Sequence, residues 1–157
     1  MQITRASEYG VIGLTALARR PAGAVVMIDE VSREMDIPRS FLAKIFQSLV
    51  RAGLVQSVRG TGGGFRLARP AEAITVLDII EGVEGPIALQ RCLEEKPDCV
   101  HMTHCALCGL LAEAQGRLRE TLARTTLAEL ARRQPPRLAV NGEAKRPQIF
   151  LKPEPVP

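Results

Sequence analysis

Apolar positions recur at helical spacing through residues 3–19 (Ile3, Tyr9, Ile12, Leu14, Ala16, Leu17), and Pro21-Ala-Gly23 stops the run. Residues 29–35 read as a short amphipathic helix with an acidic first turn, broken by Asp36-Ile-Pro-Arg-Ser40. Pro38 and Ser40 suit the opening of another helix over residues 41–52. Its apolar face runs Phe41, Leu42, Ile45, Phe46, Leu49 and Val50, and Gly53 stands where a left-handed cap falls. Two short helices with a tight break between them form the helix-turn-helix pattern. The period then changes: residues 54–58 read as a strand, Arg59-Gly-Thr-Gly-Gly-Gly64 as a turn and residues 65–68 as a returning strand. A hairpin directly behind the second helix is a wing, and this order of elements predicts a DNA-binding winged helix.

Further along, Thr75 heads a short helix over residues 76–84, with Asp78 at the capping-box distance and Gly85-Pro86 ending it. Residues 87–104 form a loop too long for a compact domain unless something organises it. Beyond it, Leu107, Leu111, Ala114, Leu118, Thr121 and Thr125 alternate in steps of four and three, a heptad seam on a long helix. Such a seam packs either within its own chain or, the preferred use, against a second copy in a homodimer. Thr126-Leu-Ala-Glu-Leu130 reads as one more capped helical turn. The fold class predicted is mainly α with a small β-wing. It has a winged helix-turn-helix DNA-binding region over 1–70, a cysteine loop and dimerisation helix over 71–134, and a disordered proline-rich tail over 135–157.

Composition narrows the function. Aromatic residues are 3% of 157, with no Trp and one Tyr, too few for a platform that stacks single-stranded bases. No apolar run approaches a membrane span and Glu8 interrupts any leader, so a soluble cytoplasmic protein without a membrane partner is expected. Residues 1–70 hold ten Lys/Arg against five Asp/Glu, whereas residues 71–134 hold seven against ten. A basic half joined to an acidic middle is either a solvated surface or the footprint of a phosphate-binding module. The glycine run is followed by Phe65-Arg-Leu, a strand, so neither a P-loop nor a dinucleotide fold applies. The partner predicted is double-stranded promoter DNA. Arg39, Ser40, Lys44 and Gln47 would lie near base edges or phosphates, and Arg59 at a minor groove. The backbone at Gly62 and Gly63 is bare enough to approach a phosphate chain.

All four cysteines (Cys92, Cys99, Cys105, Cys108) fall within 17 residues of the loop. Thiolates in a widely spaced loop suit an iron–sulfur cluster, of 2Fe-2S or 4Fe-4S type. A structural zinc site usually draws on two close cysteine pairs, and here Cys105-Ala-Leu-Cys108 is the close pair. A dithiol at a helix start can also act as a redox switch or as the centre of a thiol–disulfide enzyme, although the strand-helix-strand setting of such enzymes is missing. Inert thiols and a zinc-stabilised adaptor complete the alternatives. His101 and His104 flank the loop and can ligate or stand by.

The sequence resembles the bacterial winged-helix iron–sulfur regulators typified by IscR and NsrR, the Rrf-two type. The resemblance is carried by Met1-Gln-Ile-Thr, by Ser40-Phe-Leu through Gly53-Leu-Val, and by Ser57-Val-Arg-Gly-Thr-Gly-Gly-Gly-Phe65. The cysteine loop and Thr126-Leu-Ala-Glu-Leu carry it too. It implies a non-enzymatic homodimer that binds a nearly two-fold operator and controls transcription by cluster occupancy. It also implies that Cys92, Cys99 and Cys105 are ligands. The fourth place falls to Cys108 in IscR-like members, where a histidine stands, or to Glu8 from the partner in NsrR-like members; Cys108 is preferred as a local thiolate.

Overall fold

Thr4 starts the first helix, its hydroxyl accepting from the amides of Ala6 and Ser7, and α1 (Arg5–Ala18) follows. The computed structural model describes residues 4–97, 99–101 and 104–133; the proline-rich segment 135–157 lies outside them. After α1 come α2 (Ile28–Met35) and α3 (Arg39–Arg51), then β1 (Val55–Val58) and β2 (Gly64–Leu67). The chain continues through α4 (Val76–Glu84), α5 (Ala106–Arg124) and α6 (Leu127–Arg132). The expected mainly helical class with one small antiparallel sheet is the one found.

The turn between α2 and α3 is built by specific side chains. Asp36 takes a left-handed conformation (φ 52°), which a short polar side chain tolerates better than most. Ser32 locks the turn, its hydroxyl donating to the Ile37 carbonyl at 2.6 Å and its own carbonyl accepting the Ile37 amide at 3.1 Å. Ile37 and Val31 are buried beneath it. The helix after the turn begins at Arg39, two residues earlier than the sequence pattern placed it. The Pro38 carbonyl already accepts from the Phe41 and Leu42 amides at 3.0 Å, and the fixed φ of proline suits that position.

One core joins the elements. Leu14 and Leu17 of α1, Leu42, Ile45, Phe46 and Leu49 of α3, Ile79 of α4 and Leu127 of α6 are buried in it, with Val55 of β1. The hairpin closes by pairing Val55 with Leu67 and Val58 with Gly64. Both α4 and α6 carry full capping boxes, Thr75 with Asp78 and Thr126 with Glu129, as the sequence predicts. After α5 the chain returns to the start of α4: Val76 donates to the Thr125 carbonyl at 2.9 Å and Leu127 to the Ile74 carbonyl at 2.8 Å. Thr125 has therefore left the helix, and the heptad seam on α5 ends at Thr121.

α5 buries none of its own residues, and Leu107 and Leu110 stand 53% and 62% exposed. The seam is not consumed by packing inside this chain.

Glu84, at the end of α4, ties that helix to the start of α1. Burial opposes its ionisation, but the hydroxyls of Ser7 and Thr4, together with backbone amides there, hold its carboxyl below the usual carboxylate range. A carboxylate whose folded-state pKa is depressed stabilises the fold above its unfolded value, and that contribution disappears as pH falls through the folded value. In thermal melts the difference between wild type and Glu84→Gln should narrow below about pH 4.5. A difference that stays constant with pH would show that the carboxylate charge contributes nothing.

Candidate nucleic-acid interface and cysteine site

α3 presents two unlike faces. Leu42, Ile45, Phe46 and Leu49 are buried, while Ser40, Lys44 and Gln47, four and three residues apart, are exposed on one stripe. Arg39, the first residue of α3, is exposed as well. It is not idle there, because its Nε lies 2.5 Å from Asp29 Oδ1 of α2 in an ion pair. The sequence pattern placed Arg39 at the interface but did not reveal Asp29 as its partner. The signal available was the acidic first turn of α2, ten positions earlier.

The wing is more tightly built than its glycine run suggests. Gly60 and Gly62 adopt positive φ (103° and 78°), which glycine reaches without steric cost. Gly63 is half-buried, and a Cβ there would sit 2.8 Å from the Gly60 carbonyl oxygen. At Gly64 a Cβ would run into the backbone of Val26. That contact exists because Val26 and Phe65 exchange amide–carbonyl hydrogen bonds at 2.9 Å in both directions, adding a single bridging residue beside the hairpin. The sequence reading missed this bridge, although Val25-Val26 is a β-branched pair just before α2. Arg59 and Gly62 are exposed at the tip.

The cysteines meet beside the foot of α5. Cys92 lies in a single 3-10 turn (Arg91–Leu93), Cys105 caps α5 and Cys108 sits in its first turn. All four, with His101, Val100, Leu107 and Leu111, line one cavity of about 380 Å³. Burial pushes the Cys92 thiol up, and a hydrogen bond with the Cys108 thiol and the proximity of Cys108 and Cys99 push it further. Among the described residues no three His, Cys, Asp or Glu side chains converge as they would around one metal ion. The thiols ring a void instead, unlike a closed zinc centre with its thiolates ~2.3 Å from a single ion. Soft sulfur donors are the ligand type that iron–sulfur groups use. Glu8 is exposed on α1 and does not line this cavity, and neither does His104.

The segment leading to Cys92 is fastened from two helices. Its Ile87 amide donates to Glu81 of α4 at 3.0 Å and its Leu89 amide to Gln115 of α5 at 2.9 Å. Arg119 of α5 in turn pairs with both carboxylate oxygens of Glu81. The cysteine cavity, α4 and the long helix thus share one polar clamp.

The profile of a family described as an iron-dependent transcriptional regulator, Rrf2, matches residues 3–133. The chain belongs to the Rrf2 family. Rrf2 proteins are DNA-binding transcriptional regulators, so the thiol–disulfide enzyme alternative falls. Protein aau3 of Rhizobium meliloti (strain 1021) is 35% identical over 136 residues, covering 86% of this chain and 88% of its own. The HTH-type transcriptional regulator IscR of Cereibacter sphaeroides is 44% identical over 89 residues, 55% of this chain and 57% of its own. Among solved structures, the oxidised form of Staphylococcus aureus CymR superposes with a TM-score of 0.66 at 29% identity, covering 86% of this chain and 99% of that one. Like this Rrf2 chain, these relatives set the frame for its winged helix. Among the described residues no helix is long and apolar enough to cross a membrane.

Proposed function

We propose that this Rrf2 regulator binds promoter DNA as a homodimer and adjusts its affinity through an iron–sulfur cluster held by Cys92, Cys99, Cys105 and Cys108. The observation that carries the reading is the gathering of all four thiols on one cavity at the foot of α5. When bound, the group supplies a centre that oxidation, nitric oxide or iron shortage can alter. The protein's own residues do the rest. α5 offers a second copy the apolar seam that its own chain leaves open. The clamp of Glu81, Gln115 and Arg119 ties the cysteine segment to that helix, so a change at the cavity reaches the spacing of the two reading heads. Each α3 then enters a major groove with Ser40, Lys44 and Gln47, and the wing places Arg59 at the flanking minor groove.

Purification without oxygen, followed by a visible spectrum and iron, sulfide and zinc analysis, tests the cluster. Iron and sulfide with a visible band support it; a colourless, iron-free protein after reconstitution overturns it. A second reading, a thiol switch without a cluster, is favoured by the exposed Cys105 and by the likeness to a CymR solved in an oxidised form. The same analysis separates the two.

The wing contact has its own test. Arg59→Ala should weaken binding to the operator about tenfold and flatten the dependence of affinity on salt, measured by fluorescence anisotropy over a potassium chloride series. Unchanged affinity across the series rules out the contact.

A further inference from the structure

We propose that Asp29 fixes Arg39 as a reader of guanine, so that each winged helix selects one guanine in the major groove through a pair drawn from both helices of its reading motif. The inference rests on the DNA-binding reading and not on the cluster.

Arg39 opens α3, and the leading end of the second helix is the part that meets base edges in a helix-turn-helix. Its guanidinium has five N–H donors in a fixed plane. Nε stands 2.5 Å from Asp29 Oδ1 in an ion pair, and among the described residues no hydrogen bond engages Nη1 or Nη2. The outer edge of the guanidinium keeps two parallel N–H groups for another partner. Guanine presents two adjacent acceptors, O6 and N7, on its major-groove edge, whereas adenine puts a donor beside N7. The free edge matches guanine and opposes adenine.

Two considerations favour a base over a phosphate as the occupant. Asp29 places a negative charge beside the guanidinium, which repels phosphate but costs little against an uncharged base edge. Lys44 and Arg59 have no carboxylate partner among the described residues and keep their full charge for the backbone or the minor groove. The ion pair also holds a long side chain in place before contact, which reduces the ordering cost on binding. Stability does not account for it. Both side chains are more than half exposed, at 63% and 55%, where such pairs contribute little to folding.

The test is selection from a randomised duplex pool with the full-length chain, both cluster-loaded and cluster-free, alongside Arg39→Ala and Asp29→Asn. Thermal melts of the exposed-site variants serve as the folding control. The expected result is one guanine per half-site in the wild-type consensus. Enrichment at that position disappears in both variants, while the other positions persist. Affinity for the wild-type consensus falls about tenfold for each variant. Placing 7-deazaguanine, which lacks the N7 acceptor, at that position should weaken the wild type similarly and leave Asp29→Asn almost unmoved. The assignment is overturned if Asp29→Asn keeps the same guanine, or if it binds all duplexes more tightly, in which case Asp29 only neutralises Arg39. A wild-type chain that enriches no sequence in either form overturns it together with the DNA reading. Iron analysis of the same preparations reports on the cluster separately.

Discussion

Cys92→Ala, reconstituted without oxygen, should retain at most about a tenth of the wild-type iron and sulfide and lose the visible band, while its cluster-free form melts close to wild type. Cys92 stands at the start of the loop, on a turn held by neighbouring backbone bonds to Glu81 and Gln115. Its thiol lines the same cavity as Cys108, so removing it takes one donor from the set. Changes in groups that merely support a ligand already weaken metal sites ten- to a hundredfold, and loss of a ligand costs at least that much. The turn itself is only partly buried, which is why stability should change little. Retained iron would remove Cys92 from the ligand set. The same measurement on Cys108→Ala and Glu8→Gln decides the fourth place: loss in the first and retention in the second is expected, because Cys108 lines the cavity and Glu8 does not.

Phe46→Ala carries the second large effect, on the fold. Phe46 is fully buried at the centre of α3. Its ring meets Phe65 of the wing edge-on, with centroids 5.0 Å apart. On its other side it lies against Gly13 of α1, where even a Cβ would come within 2.8 Å of the ring. Truncation opens a cavity shared by three elements, and such changes cost about 3–5 kcal/mol. For a chain of this size the melting temperature should fall by roughly 10 °C. DNA binding should fail with it, since the ring joins the reading helix to the wing. A loss below about 1 kcal/mol in a denaturant titration would mean that the site collapses around the gap.

Much of this was visible in the residues. The capping boxes at Thr75 and Thr126, the hairpin and most of the apolar face of α3 follow from local patterns and lie where expected, but Phe41, expected on that face, is exposed and meets Tyr9 of α1 edge-on. The start of α3 did not lie where expected, because the Pro38 carbonyl recruits helical bonds before the apolar pattern begins. Contacts between distant residues were the harder part. Nothing local tells Val26 to pair with Phe65, Glu84 to bind Ser7, or Glu81 to hold Ile87 and Arg119 together. For the candidate site, the clustering of cysteines along the chain announced a shared cavity. It did not show that Cys92 shares that cavity's wall with Val100 and Leu107, or that Cys105 is the exposed one. At the interface, residue identity pointed to Arg39, but its acidic neighbour depends on how the α2–α3 turn folds back.

The glycines of the wing leave little freedom for change. A side chain at Gly60 or Gly62 is penalised by the backbone conformation, and one at Gly63 or Gly64 collides with the protein's own chain. Arg59 and Thr61 are left as the positions where a new side chain can be tried without rebuilding the hairpin. Retuning of what the tip meets on a duplex is therefore confined to a two-letter vocabulary, while larger shifts in preference have to come from α3.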